Sequence, residues 1–321
     1  MNCPYYSRIK IILMLNINKT EIIKHLNKLS HINPTIQEIN QFTPLIPHSL
    51  HILNTTTSTN QILWQLIAEG ASAGTVVIAT EQTAGRGQWG RKWQSNAGGL
   101  YFSVAIAPHL PIEETPQLTM ATAWGLAKIL AEYEIPVQLK WPNDLILAGR
   151  KLGGILTETK VNQGKIQQAV IGIGLNWSNT VPEIGINLCS YFAKNRHPTI
   201  LSMEELTAIV CHGLNIGLAT LWTKGIDHIL PEYCQLLTVM GNQLMVNGRL
   251  GSIVGVTRQG ELRVKVLAGV ASDDHPHTKS DSQSTKLDQL PSESNNLHPN
   301  TEIYFQPGEI SLGYGESIST V

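Results

Sequence analysis

The segment from Glu81 to Gly99 is rich in glycine and arginine, and its residue types suit chemistry on an anion. Its centre reads Gln82-Thr-Ala-Gly-Arg-Gly-Gln-Trp-Gly-Arg-Lys-Trp93. Glycine lets backbone N–H groups approach a phosphate closely. Basic side chains add positive charge where an acyl phosphate would form, and here they are Arg86, Arg91 and Lys92. The segment therefore predicts a loop that binds a phosphate or a carboxylate.

Two tryptophans lie in the same loop and bear on what it covers. The loop matches neither of the common glycine-rich nucleotide motifs, so an exposed basic turn is the plain alternative. Trp89 and Trp93 make a merely solvated turn the weaker interpretation, because tryptophan is highly buried on average. We expect the loop to fold over a flat, apolar ligand.

A second group of chemical residues lies in Lys140-Trp-Pro-Asn-Asp144 and in the following Arg150-Lys-Leu-Gly-Gly154. The Asn143 amide offers a donor and an acceptor, which suits an adenine edge. Lys151 precedes two glycines that leave room for a ligand, so its ammonium can neutralise a carboxylate and then a phosphoryl oxygen. A hairpin with turns at Asn143-Asp144 and Gly149 is the alternative, and both interpretations can hold together.

Two shorter motifs are weak when each is taken alone. Ser58-Thr-Asn60 is a good start for a helix, because Ser, Thr and Asn side chains cap helix N-termini. Gly172-Ile-Gly-Leu-Asn176 follows a β-branched run, and a single GxG at the end of a strand identifies no ligand.

Hydrophobic periodicity and turn residues predict the elements that must position these motifs. Helices are predicted over Lys19–Leu29, Ser58–Glu69, Gln117–Tyr133 and Met203–Trp222. Strands are predicted over Thr75–Thr80, Leu100–Ala107, Gln138–Trp141, Gly154–Thr159, Gln168–Ile173, Gln243–Val246, Leu250–Thr257, Leu262–Val266 and Thr301–Leu312. Because helices and strands mix without strict βαβ alternation, we predict an α+β fold with a mixed central sheet flanked by helices.

The composition changes along the chain and predicts a three-part organisation. Residues 1–50 form a short helical extension broken by prolines, residues 51–235 the main domain, and residues 240–321 a small all-β module. A stretch rich in Ser, Asp, Asn, His and Pro interrupts the module at 271–300. It has too little apolar surface to offset its ordering entropy, so we predict disorder there.

Composition and charge narrow the classes of protein. A hydrophobic content of 42% over 321 residues is enough for a sizeable core, and a net charge of -1 gives no electrostatic case for broad attraction to nucleic acids or membranes. The four cysteines are widely scattered, which argues against a disulfide framework or a metal knuckle. We therefore expect a cytoplasmic protein that does not engage a membrane. Met14 is an alternative start to Met1.

Taken together, these motifs resemble the biotin–protein ligase family. The pieces that carry the resemblance occur in order over residues 58 to 176: Ser58-Thr-Asn60, the GRGxxGRxW loop, KWPND, RKLGGIL and GIGLN. The resemblance implies a catalytic domain of the class II synthetase and biotin–lipoate ligase type. It also implies that the tail, which ends in Pro307-Gly-Glu-Ile-Ser-Leu312, forms that family's small SH3-like β-barrel.

The same resemblance implies a role for individual residues. Two are implied to be catalytic by stabilising charge: Arg86 and Lys151. The residues implied to contact biotin are Ser58, Thr59, Asn60, Gln82, Gly85, Arg86, Gly87, Gln88 and Lys151. Those implied to contact ATP or the adenylate are Arg86, Arg91, Trp93, Asn143 and Asn176. No protein side chain is assigned to a metal, and Mg²⁺ is expected to arrive with ATP.

The implied chemistry has two steps. ATP and biotin form biotinyl-5′-AMP, and a lysine of a carrier protein then displaces AMP. The expected carrier is the biotin carboxyl carrier protein of acetyl-CoA carboxylase, and a homodimer is possible. The alternatives are a related lipoate–protein ligase, a biotin-sensing regulator that binds DNA, and an inactive binding module.

Two departures from the family pattern lead to further expectations. The family loop commonly carries arginine where this chain has Gln88, so the chain has one cation fewer near the adenylate. We hypothesise looser retention of the intermediate, unless Lys92 compensates. Some members carry an N-terminal winged helix, whereas residues 1–50 lack a second helix with clustered Lys and Arg, so no DNA binding is expected.

Overall fold

The computed structural model describes residues 17–32, 49–195, 197–246, 248–267, 298, 300–310 and 312. The two candidate starts, Met1 and Met14, lie outside these residues. The disorder predicted for 271–300 falls on a stretch of which only His298 and Asn300 are described. The three-part division of the chain stays a prediction.

The main sheet has seven strands in the order β1-β2-β3-β7-β6-β5-β4. Its first pair, β1 and β2, is parallel, and the other pairs are antiparallel. The strand bounds are β1 Ser49–Thr56, β2 Thr75–Gln82, β3 Leu100–Ile106, β4 Gln138–Lys140, β5 Asp144–Leu147, β6 Arg150–Asn162 and β7 Lys165–Leu175. A mixed sheet with helices confirms the predicted α+β fold.

Six α-helices are described, and the four predicted ones are confirmed among them. Their bounds are α1 Lys19–Ile32, α2 Thr59–Ala68, α3 Thr115–Glu132, α4 Leu188–Asn195, α5 Met203–Lys224 and α6 Ile226–Leu236. Buried Ile22 and Leu26 place α1 in the same hydrophobic core as the sheet and α5. The helical extension at the start of the chain therefore contributes to the main core.

Helices α3 and α5 pack backbone to backbone through glycine. A Cβ atom built on Gly125 would overlap the carbonyl oxygen of Gly213, and one on Gly217 would overlap that of Ala121. By length and composition α5 could cross a membrane, with a mean hydropathy of 1.3, but 83% of the relevant window is buried inside the protein. Its apolar character is explained by its central position against α3.

The C-terminal region forms a separate antiparallel sheet in the order β11-β10-β9-β8. Its strands are β8 Gln243–Val246, β9 Arg249–Val256, β10 Leu262–Val266 and β11 Glu302–Phe305. The last predicted strand was too long, because the chain turns at Pro307–Ile310. The Trp141 indole N–H donates to the carbonyl of Gly260 at 2.8 Å, which joins this sheet to the main one. The SH3-like barrel stays a prediction.

Candidate active site

A cavity of about 330 Å³ lies on the face of the main sheet formed by β6 and β7. The start of α2, the glycine- and arginine-rich segment from Glu81 to Gly99 (the Gly-Arg loop) and the turn after β4 surround it. Of the residues predicted for the site, those on the cavity wall are Ser58, Thr59, Asn60, Gln82, Arg86, Gly87, Gln88, Arg91, Trp93, Asn143 and Lys151. Motifs that are far apart in the chain are therefore brought to one place.

Two predicted residues, Gly85 and Asn176, do not line the cavity. A Cβ atom on Gly85 would overlap the Ser95 hydroxyl, so this glycine packs behind the wall. Asn176 is buried and donates its amide N–H to the carbonyl of Lys151 at 3.3 Å. Both residues support the site from behind and contribute no surface to the cavity.

One end of the cavity is neutral and rich in hydrogen-bonding groups. Gln82 Oε1 accepts from the backbone N–H of Thr59 at 2.8 Å and from its hydroxyl at 3.2 Å. The Ser103 hydroxyl lies 2.7 Å from Thr59 Oγ1 and 2.6 Å from Asn60 Oδ1. Ser58 is buried, and its side chain makes no capping hydrogen bond to α2. Amide and hydroxyl groups can donate as well as accept hydrogen bonds, so this end suits a ligand that does both.

Glu158, which sequence reasoning missed, collects three donors at this end. Its Oε2 accepts from Asn60 Nδ2 at 2.8 Å, from Trp64 Nε1 at 3.3 Å and from Arg86 Nη2 at 3.0 Å. The guanidinium of Arg86 is therefore held at the neutral end of the cavity. A carboxylate role for Arg86 has to compete with this ion pair.

The Gly-Arg loop is a tight hairpin. The backbone N–H of Gly87 donates to the carbonyl of Arg91 at 2.7 Å, and Trp89 at the tip has φ 52. Trp89 is 53% exposed, and a Cβ on Gly308 would lie 3.2 Å from its ring. The side-chain oxygen of Gln88 is buried and, among the described residues, has no hydrogen-bond partner.

The other end of the cavity is cationic. Lys151 Nζ pairs with Asp144 Oδ1 at 2.7 Å and stands 5.0 Å from the centre of the Trp93 ring. Lys140 lines the same end, and its pKa is lowered from 10.5 to about 8, chiefly by burial and further by Lys151 and Arg91, although Asp144 opposes the shift. This end attracts an anion, because the cations of Lys140, Lys151 and Arg91 outnumber the single carboxylate of Asp144.

A β-bulge places Lys151 on the cavity wall. Gly153 is opposite Leu145, but Lys151 is opposite Ile146, so β6 carries Leu152 as an extra residue. A bulge re-aims the side chains of its strand. Lys151 consequently shares the wall with Gly154 and Leu156.

Three glycines form the floor of the cavity. Gly154 of β6 pairs with Gly174 of β7, and a Cβ on Gly174 would lie 2.6 Å from Trp93 Nε1. A Cβ on Gly172 would overlap Asn60 Oδ1. The indole nitrogen of Trp93 is buried and has no hydrogen-bond partner among the described residues. The absence of side chains on the floor lets Asn60 and Trp93 lie directly on the sheet.

The C-terminal region completes the wall, which the sequence did not predict. Gly308, Ile310 and Leu312 all line the cavity. In the described part of the chain, no group of three or more His, Cys, Asp or Glu side chains could hold a metal ion.

Fold and site together define an α+β protein whose pocket has a neutral, hydrogen-bonding end and a cationic end that suits an anion. The profile of the Biotin/lipoate A/B protein ligase family matches residues 52–176. The Bifunctional ligase/repressor BirA of Escherichia coli is 36% identical over 224 residues, 67% of this chain and 68% of that protein. The chain belongs to the Biotin/lipoate A/B protein ligase family.

Two further comparisons agree with this membership. The Bifunctional ligase/repressor BirA of Bacillus spizizenii is 40% identical over 121 residues, and the match spans 37% of this chain and 37% of that relative. The solved structure of the Biotin protein ligase from Aquifex aeolicus in complex with biotin and ATP is 27% identical. The match covers 70% of this chain and 97% of the Aquifex aeolicus chain, with a TM-score of 0.55.

Proposed function

We propose that this chain is an ATP-dependent ligase that activates biotin as biotinyl-5′-AMP and transfers it to a lysine of a carrier protein. One observation carries the proposal. A single cavity has a neutral end built from Thr59, Asn60 and Gln82 and a cationic end built from Lys151 and Lys140. Biotin has the matching form, a cyclic urea at one end and a carboxylate at the other.

The distance between the two ends fits an extended ligand. Asn60 lies against Gly172 and Trp93 lies against Gly174, and these two glycines are two residues apart on β7, or about 7 Å along a strand. The urea N–H and C=O groups of biotin lie at Gln82 and Thr59, where the chain offers both acceptors and donors. The acid tail runs along the glycine floor toward Lys151.

In the first step, a carboxylate oxygen of biotin attacks the α-phosphorus of ATP. The new P–O bond gives the mixed anhydride, and the bond to the β-phosphate breaks to release pyrophosphate. Lys151 first neutralises the carboxylate and then a phosphoryl oxygen, while Asp144 holds its ammonium in place. Lys140 and Arg91 add charge for the phosphates.

Asn143 has a second task in this arrangement. Its amide N–H donates to the carbonyl of Ile155 at 2.7 Å, which ties the turn after β4 to β6. We assign adenine contact to the remaining capacity of this amide. Mg²⁺ enters with the nucleotide, because Asp144, the carboxylate at this end, is already paired with Lys151.

In the second step, the amine of a carrier lysine attacks the carbonyl carbon of the anhydride. An amide forms, AMP leaves and the amine loses a proton. Supported by the family, we propose the biotin carboxyl carrier protein of acetyl-CoA carboxylase as the acceptor. Cytoplasmic location, a homodimer and the absence of DNA binding stay predictions. The absence of DNA binding most needs a direct test, because the two BirA relatives described above are named ligase/repressor.

The test is to incubate the purified protein with biotin, Mg·ATP and a biotin carrier domain, and to measure the carrier's mass. We expect a gain of one biotinyl group that is lost in Lys151→Ala and retained in Lys165→Ala, an exposed lysine outside the cavity. A parallel reaction with lipoate separates the two activities of the family. Tight biotin binding without any mass gain would leave only a sensor or an inactive binding module.

A further inference from the structure

Glu158 lies where three separate parts of the site meet. It is on β6, whereas Asn60 and Trp64 are on α2 and Arg86 is in the Gly-Arg loop. All three donate to the same oxygen, Oε2, at 2.8 to 3.3 Å. One carboxylate thus connects the sheet, the helix and the loop.

The geometry makes Arg86 the partner that matters most for the loop. Its side-chain hydrogen bond to Glu158 spans 72 residues of sequence and is also an ion pair. Two backbone bonds run within the hairpin, from Gly87 to Arg91 and from Trp93 to Gly85, and just before it Thr83 and Ala84 donate to the carbonyls of Thr56 and Thr57 at the end of β1. The Arg86–Glu158 pair adds a side-chain connection from the Gly85–Gly87 limb to β6, on the other side of the cavity floor.

Resting on the proposed function, we infer that Glu158 is a positioning residue for biotin. It acts through Arg86 by holding the loop over the neutral end of the cavity. In this arrangement the Arg86 charge is compensated by Glu158, and the charge for the reacting carboxylate comes from Lys151 and Lys140 at the other end. A second contact, from Asn60 Nδ2, aligns the amide that faces Ser103.

The size of the effect follows from exposure. The Arg86 and Glu158 side chains are 45% and 26% exposed, so solvent weakens the pair relative to a buried one. A charged hydrogen bond with this exposure corresponds to about a fivefold change in a dissociation constant. We expect Glu158→Gln to raise the dissociation constant of biotin by about fivefold and to leave the KM for ATP unchanged.

The test is a double-mutant cycle read by biotin binding. Calorimetry gives the dissociation constant for the wild-type protein, Glu158→Gln, Arg86→Met and the double variant. If Glu158 acts through Arg86, its substitution has a smaller effect in the Arg86→Met background than alone. Glu302→Gln is the matched control, because that glutamate pairs with Arg263 at 2.9 Å in the C-terminal sheet, outside the cavity wall.

Each outcome decides one question. Unchanged binding in Glu158→Gln, or an equal loss in both Arg86 backgrounds, overturns the positioning role. A wild-type protein that binds no biotin instead refutes the proposed function. If Glu158→Gln does not fold, Glu158→Asp keeps the charge but withdraws the oxygen, and the same cycle is run with Arg86→Lys.

Discussion

Substitution of the floor glycines tests whether Trp93 packs against the sheet during the reaction. A Cβ on Gly174 would lie 2.6 Å from Trp93 Nε1, whereas ordinary contacts begin at 3.4 Å, so the indole must move by at least 0.8 Å (3.4 − 2.6). A misplacement of about 1 Å can cost roughly 100-fold in rate. We therefore expect Gly174→Ala to lower kcat/KM for ATP by about 10- to 100-fold, or about 1.4 to 2.7 kcal/mol.

The control is the glycine paired with it across the sheet. A Cβ on Gly154 would lie 3.7 Å from Trp93 and 3.4 Å from Asp144, both ordinary contacts. Gly154→Ala should therefore change kcat/KM by less than about threefold. The assay is pyrophosphate release with biotin but without carrier, at varied ATP. An equal change of kcat/KM in the two variants would mean that Trp93 leaves the floor before the reaction, which contradicts the prediction.

A third floor variant reports on the other end of the cavity. Gly172 faces the same side of β7 as Gly174, but its Cβ would overlap Asn60 Oδ1. Asn60 is only 4% exposed and is bonded to Glu158, so it cannot yield without losing that bond. Gly172→Ala should raise the KM for biotin more than the KM for ATP. The opposite order would place the two ligands the other way round.

Three further predictions concern charge, packing and acid stability. Because the pKa of Lys140 is lowered to about 8, its ammonium is charged below pH 8 and loses its proton above it. The KM for ATP should therefore rise above pH 8. This rise should be smaller in Lys140→Arg, because arginine keeps its charge. Gly125→Ala should lower the free energy of unfolding by about 2 kcal/mol through overpacking, whereas exposed Ala131→Ser should stay within about 0.5 kcal/mol, as measured by urea denaturation. Burial lowers the pKa of His212 below its ordinary 6.5, so in acid the unfolded chain binds more protons than the folded protein. The free energy of unfolding should therefore decrease as the pH falls below about 6.5. This pH dependence should be weaker in His212→Asn.

The sequence predicted the parts of the site that are written as local motifs. The helix after Ser58, the Gly-Arg loop and the Lys151 segment depend on turn chemistry and short-range periodicity, and the structure contains each of them. Strand β1 was missed because only Leu50 of its residues is fully buried, as expected for a partly polar edge strand.

The missed site residues have a different cause. Glu158 lies in a run of Thr, Glu and Lys that reads as an ordinary exposed strand face, and only the pairing of β6 with the loop and α2 gives it a task. Gly308 and Ile310 reach the cavity because the C-terminal sheet docks on the main one. Tertiary contacts of this kind leave no periodic signal in a single sequence.

The wall formed by Gly308, Ile310 and Leu312 has a consequence for the order of events during synthesis and folding. The cavity joins Ser58 to Leu312, so its contacts span nearly the whole described chain. Long-range contacts of this kind form slowly, because a large loop must close first. A ribosome releases the helices and the main sheet before the last wall residues emerge. The pocket therefore stays incomplete until Gly308, Ile310 and Leu312 have been synthesised and have reached the cavity wall.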